Sequence, residues 1–118
     1  MIDMKTNNLD KAFINDEQIP WEDVDKGVQR KIMSYDERLM LVKVKFLAGG
    51  IGTLHQHPHT QITYVKSGKF EIEINGEKQI MKGGDVYYIL PGLVHGAVCL
   101  EDGMLIDAFS PMREDFIK

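Results

Sequence analysis

Cysteine is nearly absent. Cys99 stands alone in 118 residues, so no disulfide forms within the chain and no oxidising compartment is required. There is no run of the roughly 20 apolar residues that a membrane-spanning helix needs. The opening Met1-Ile2-Asp3-Met4-Lys5 has no apolar core of the kind that marks a secretory signal, which makes the cytoplasm the expected location. Positive charge is in deficit: 14 Lys and Arg stand against 18 Asp and Glu, a net charge of −4. That balance argues against nucleic acid as the main partner. Repeats and low-complexity tracts are missing, and no stretch after residue 30 sustains a helical period. What remains is 43% apolar and 27% charged, a soluble globular composition in a chain of one domain's length.

Residues 1–20 are polar and mixed, and read as a tail or peripheral segment; residues 21–118 read as the domain. Within the domain, short apolar-rich runs alternate with turn residues. Runs at 28–33, 39–47, 53–57, 61–65, 70–74, 86–90, 95–100 and 104–109 are separated by Gly, Asn, Asp or Pro. Phe70-Glu71-Ile72-Glu73-Ile74 alternates strictly, so one of its faces is buried. Asn75-Gly76 follows, the pair that a type I′ hairpin favours, and a two-residue loop sets Glu73 opposite Lys78. Eight or nine short strands with frequent turns predict an all-β sandwich or barrel.

Three of the four histidines, His55, His57 and His59, lie within five residues; His95 follows the Pro91-Gly92 turn. Pro58 argues against a helix there. In a strand, His55 and His57 share a face. Gln61 opens the next run. Three imidazoles and an amide oxygen make an adequate ligand set for a divalent transition metal. On spacing alone a polar loop is the commoner reading of such a cluster; the β-rich context and the fourth histidine favour the metal. In the last run Leu105, Asp107 and Phe109 share a face, so an inward Leu105 and Phe109 carry Asp107 inward too. Asp107 then reads either as a general base or acid beside the metal or as a carboxylate paired with Arg113. Phe109 reads equally as core, and Arg113 as a surface ion pair with Glu114 or Asp115. Cys99, in an apolar strand, reads as an inert buried thiol.

Two motifs carry a family resemblance. Gly49-(five residues)-His55-Gln56-His57-(three residues)-Gln61-(six residues)-Gly68 resembles the first motif of the cupin superfamily. Gly84-(five residues)-Leu90-Pro91-Gly92-(two residues)-His95-(three residues)-Cys99 resembles the second. The family usually has Glu at the position of Gln61, Pro at that of Leu90 and Asn at that of Cys99. The resemblance implies a cupin-type β-barrel, or double-stranded β-helix, of two antiparallel sheets, with one metal (Zn, Ni, Fe, Co or Mn) held by His55, His57, Gln61 and His95. It leaves His59 outside the ligand spacing, as a residue behind the ligands, facing substrate or solvated. With Gln61 every protein ligand is neutral, the ion keeps its full +2 charge, and an anionic substrate is expected.

The histidine segment and the stretch from Asp107 to Phe116 are similar to small cupins of the pectin-degradation type. That resemblance implies opening of 4,5-unsaturated uronate monosaccharides to their linear 5-keto form. It places Asp107, Phe109 and Arg113 near the sugar acid: Asp107 as proton acceptor, Arg113 gripping the carboxylate, Phe109 packing on the ring. The alternatives are a metal oxygenase acting on a small anion, which predicts oxygen consumption, and a sugar-binding cupin without catalysis. Exposed sheet edges need cover, and a homodimer is the expected assembly.

Overall fold

The computed structural model describes residues 12–117. It contains eight strands: β1 (Glu22–Asp25), β2 (Val28–Tyr35), β3 (Met40–Phe46), β4 (Ile51–His55), β5 (Thr60–Ile74), β6 (Glu77–Lys82), β7 (Val86–Ile89) and β8 (His95–Ser110). Two single 3-10 turns, Asp16–Gln18 and Glu114–Phe116, are the only helical elements among the described residues. None is long or apolar enough to cross a membrane.

Every strand pairing is antiparallel. The long strands β5 and β8 pair along their whole length and divide the network into two layers. The first half of β5 and the second half of β8 join β1, β2, β3 and β7. The remaining halves join β4 and β6. This is the two-sheet barrel that the strand pattern predicts, with one correction. The runs expected as separate strands at 61–65 and 70–74 are a single strand, as are those at 95–100 and 104–109. The intervening Ser67-Gly68 and Glu101-Asp102-Gly103 are bends, not turns.

Close backbone approach explains the bends. Gly68 has φ +84°, and a Cβ there would stand 2.6 Å from both the Asp102 carbonyl oxygen and the Gly103 Cα. A Cβ on Gly103 would collide with the Ser67 carbonyl oxygen. The two chains cross with no room for side chains, and the pairing register shifts there. The shift also changes which residues of β5 face inward. Gln61, Thr63 and Val65 are buried before it, Phe70 and Ile72 after it. In β8 the odd-numbered His95, Cys99, Leu105 and Phe109 are buried throughout, so Asp107 shares the inner face.

The Asn75-Gly76 hairpin forms as the sequence predicts, with φ +50° and +86° and Glu73 opposite Lys78. The core has two parts. Val28, Phe46, Val65, Phe70, Ile72, Cys99 and Leu105 form one, and Met40, Val42, Phe109 and Met112 the other. The Cys99 thiol is buried and bonds the Glu101 carbonyl, and burial raises its pKa, which fits an inert thiol.

The expected tail is only in part describable, since residues 1–11 lie outside the described segment. The part from Asp16 to Trp21 is docked on the barrel. Asp16 pairs with Lys43 at 2.9 Å and Lys31 at 3.2 Å, and the ammonium groups of Lys31 and Lys45 lie over the Trp21 ring.

Gly68→Ala combines a positive φ with a collision, whereas Gly76→Ala has a positive φ in open space. Urea denaturation is expected to show a loss of about 1 kcal/mol for Gly76→Ala and at least about 2 kcal/mol more for Gly68→Ala. Equal losses would mean that the crossing is not tight.

Candidate metal centre

His55 and His95 are direct cross-strand partners at the ends of β4 and β8. Their rings stand 4.3 Å apart between centroids. His57 is not in the strand expected over 53–57: β4 stops at His55, and His57 lies in the connection to β5. The connection is held from the opposite turn, where the Gly92 N–H donates to the His57 carbonyl at 2.8 Å. The His57 ring thereby stands 5.4 Å from His55 and 4.8 Å from His95. Ligand nitrogens of the three rings all lie within 4.8 Å of one another.

The rings are fixed in a ligand-ready form. His55 Nδ1 donates to the Thr53 carbonyl at 2.8 Å, and His95 Nδ1 to the Leu93 carbonyl at 2.9 Å. Each bond reaches the residue two positions upstream and leaves Nε2 as the unprotonated nitrogen. His95 Nε2 is buried without a hydrogen-bond partner, and His57 turns its Nε2 towards Gln61. Buried polar atoms are rarely left unpaired, and a cation is the natural partner for an imidazole lone pair. Burial lowers the pKa of both rings, that of His95 to about 4. Arg113 adds to the effect, and both rings are neutral at pH 7, as metal ligands must be. The residues therefore fit a divalent transition metal.

Gln61, also buried, lies beside the three rings. Its Oε1 lies 3.0 Å from His57 Nε2. Its amide N–H₂ donates to Thr63 Oγ1 at 2.9 Å and faces Asp107 Oδ1 at 3.5 Å. A Glu here would lose both donors and set its charge against Asp107. The geometry thus gives a reason for Gln where cupins usually have Glu.

Asp107 points into the barrel, as its shared face with Leu105 and Phe109 predicts. Thr63 Oγ1 donates to its Oδ1 at 2.6 Å, and the Tyr87 hydroxyl bonds Thr63 in turn. Burial pushes the Asp107 pKa up to about 6, against the pull of Thr63, Arg113 and Gln61. Tyr87 is raised further by burial and by the Asp107 charge, and stays protonated. His55, Gln61, His95, Asp107, Phe109 and Arg113 line one cavity of about 400 Å³.

The other expected residues are placed as follows. Phe109 is a buried core residue whose edge meets His57 at 5.7 Å between centroids, and it contributes part of the cavity wall. Arg113 is buried and forked onto Asp115, through Nε at 3.0 Å and Nη2 at 2.8 Å. A bidentate grip on a sugar carboxylate through that edge requires Asp115 to let go. His59 is packed behind His57 with Nε2 on the Met112 carbonyl, outside the three-histidine group.

Sequence reasoning missed Arg30, Thr63 and Tyr87. Arg30 and Tyr87 line the same cavity. The two-residue alternation Val28-Arg30-Ile32 and Gln61-Thr63-Val65 carries the signal for the first two.

Known proteins resemble the chain throughout. The family model described as Cupin domain matches residues 42–107. The pectin degradation protein KdgF of Dickeya dadantii is 47% identical over 109 residues, which cover 91% of this chain and 99% of that protein. The solved structure of KdgF from Halomonas sp. superposes with a TM-score of 0.86 at 45% identity, over 90% of this chain and 98% of that one. An RmlC-like cupin from Shewanella frigidimarina gives 0.90 at 38% identity, over 96% and 99%.

His95→Ala is expected to reduce affinity for a divalent metal about a hundredfold or more, and His59→Ala to leave it within a few-fold. Titration against a competing chelator reads both; equal losses would put His59 among the ligands.

In the chelated protein two effects oppose each other. As the pH falls from 6.5 towards 4, the unfolded chain protonates histidines that the folded one keeps neutral, so stability drops. Folded Asp107 takes up its proton near pH 6, ahead of the unfolded value of 3.8, which offsets part of that loss. The urea midpoint of Asp107→Asn should therefore fall more steeply over this range than that of the parent protein. Parallel slopes would contradict the burial of Asp107.

Proposed function

The chain belongs to the cupin family, and on that premise we propose that it opens the ring of 4,5-unsaturated uronate monosaccharides in the breakdown of pectin and related polyuronates. One observation carries the proposal: a carboxylate, Asp107, lines a monosaccharide-sized cavity together with His55, His95 and Gln61. The 47% identity to a pectin degradation protein supports the substrate class. His55, His57, Gln61 and His95 would hold a divalent metal, which when bound would supply Lewis-acid polarisation of a sugar oxygen.

The remaining work falls to side chains. Ring opening begins with loss of the proton on the C1 hydroxyl. Asp107 accepts it, C1=O forms, and the bond from C1 to the ring oxygen breaks. The electron pair stays on the ring oxygen as an enolate conjugated through C5 and C4. Protonation at C4 by solvent gives the 5-keto acid, and Asp107 releases the proton it took to solvent, which resets the carboxylate. The reaction is an isomerisation and consumes no oxidant.

Asp107 suits the first step. With a pKa of about 6 it is mainly ionised at neutral pH, yet basic enough to hold a proton. The contacts from Thr63 and Gln61 both end on Oδ1, which leaves Oδ2 for the sugar. Arg113 adds positive charge at the cavity wall, and Phe109 closes the wall against water.

The test uses metal-loaded protein and freshly released 4,5-unsaturated galacturonate, following loss of ultraviolet absorbance against spontaneous opening. Acceleration is expected, and Asp107→Asn should reduce it by about a hundredfold or more at unchanged metal content. The rate of the parent should rise with pH through a midpoint at or below about 6, since metal charge stabilises the carboxylate. Oxygen uptake should be absent. Undiminished acceleration by the Asn variant would remove Asp107 from the mechanism, and oxygen consumption would favour an oxygenase.

A further inference from the structure

Alternation along β2 places Val28, Arg30 and Ile32 on one face, opposite Phe46, Val44 and Val42 of β3. Val28, Val42 and Phe46 are buried, so this face looks into the barrel. Arg30 therefore enters from the wall formed by β2, and it lines the cavity that also holds His55, His95, Gln61 and Asp107. A guanidinium in that position needs compensation.

It has two partners. Its Cζ lies 4.0 Å from the centroid of the Phe116 ring, and its Nε donates to Glu22 Oε1 at 2.6 Å. The side chain of Glu22 is 50% exposed and sits on β1, a four-residue edge strand that is exposed throughout. A pair of that kind holds weakly. It occupies Nε alone; no hydrogen bond among the described residues engages the terminal nitrogens of Arg30. Arg113 stands on the same Phe116 ring at 4.2 Å, but its Nε and Nη2 are both committed to Asp115. Of the two guanidiniums on this ring, Arg30 keeps both terminal nitrogens uncommitted, whereas Arg113 keeps only Nη1.

A planar guanidinium with open donors matches a carboxylate in shape and charge. Asp25 and Asp107 line the same cavity, which disfavours a dianion such as a phosphate monoester. We infer that Arg30 receives the carboxylate of the sugar-acid substrate, and that Glu22 is the counter-ion it gives up on binding. The inference rests on the sugar-acid reading of the cavity and adds to it a residue that sets specificity for acids over neutral sugars.

Glu22 and the substrate compete for one cation, so two substitutions should act in opposite directions. Calorimetry on metal-loaded protein with galacturonate, a stable uronate, as the probe is expected to show about tenfold or greater weakening for Arg30→Met. Glu22→Gln should bind it several-fold tighter, an effect that mere damage to the fold does not produce. Galactose, which lacks the carboxylate, should bind parent and variants alike. Galacturonate affinities within twofold of the parent in both variants overturn the inference, as does a parent that binds no galacturonate. Ring-opening assays on the same proteins separate the two readings. Acceleration with an unchanged KM in Arg30→Met removes Arg30 and leaves the proposed reaction standing. Absence of acceleration in every protein, with galacturonate affinities moving in opposite directions, removes the reaction and leaves Arg30.

Discussion

The organising constraint in this protein is a carboxylate on the inner face of a barrel strand. A charge in that position is stable only with donors around it, and the neighbouring strands supply them. Thr63 donates to Asp107 from β5, and the Gln61 amide stands beside both. Gln61 is thereby tied at both ends, its nitrogen towards Asp107 and its oxygen towards His57. Gln61 and Asp107 are thus one arrangement: a second carboxylate at position 61 would give up the amide donors and set like charge against the first. The depressed histidine pKa values and the raised Asp107 pKa share a cause in burial, and together they keep the rings neutral and the carboxylate proton-accepting near pH 7.

The barrel brings these groups together through two bent strands. The halves of β5 and β8 serve different layers, and the crossing at Gly68 and Gly103 joins them. The register shift at the crossing lets Gln61 and Thr63 face inward at one end of β5 while Phe70 and Ile72 face inward at the other. Without it, period-two alternation would turn one of these sets to solvent.

Much of this was legible in the sequence. The strands, the Asn75-Gly76 hairpin and the inward aspect of Asp107 follow from two-residue alternation and turn chemistry. His55 and His57 were legible from local spacing and a rare residue type, whereas His95 joins them from a distant turn and the nearby His59 stays outside the group. Less legible were features that depend on distant partners. Gly68 and Gly103 read as turns because a sequence shows their freedom and not what crowds them. The fork of Arg113 on Asp115 is a local pair, but nothing local decides between Asp115 and Glu114. Arg30 was passed over within the run 28–33, although alternation with Val28 and Ile32 sets it on the cavity face while Lys31 reaches Asp16 and Trp21 on the other. The docked stretch from Asp16 to Trp21 depends on lysines of β2 and β3, which composition alone does not pair with it.

The hydrogen bond from the Gly92 N–H to the His57 carbonyl would bear on release of an ion held there as well as on assembly of the site. His57 belongs to one connection, and His95 follows the other. Because the bond ties the two connections together, their backbones would move as a pair, and an ion held by the two rings would leave most readily when both connections open at once.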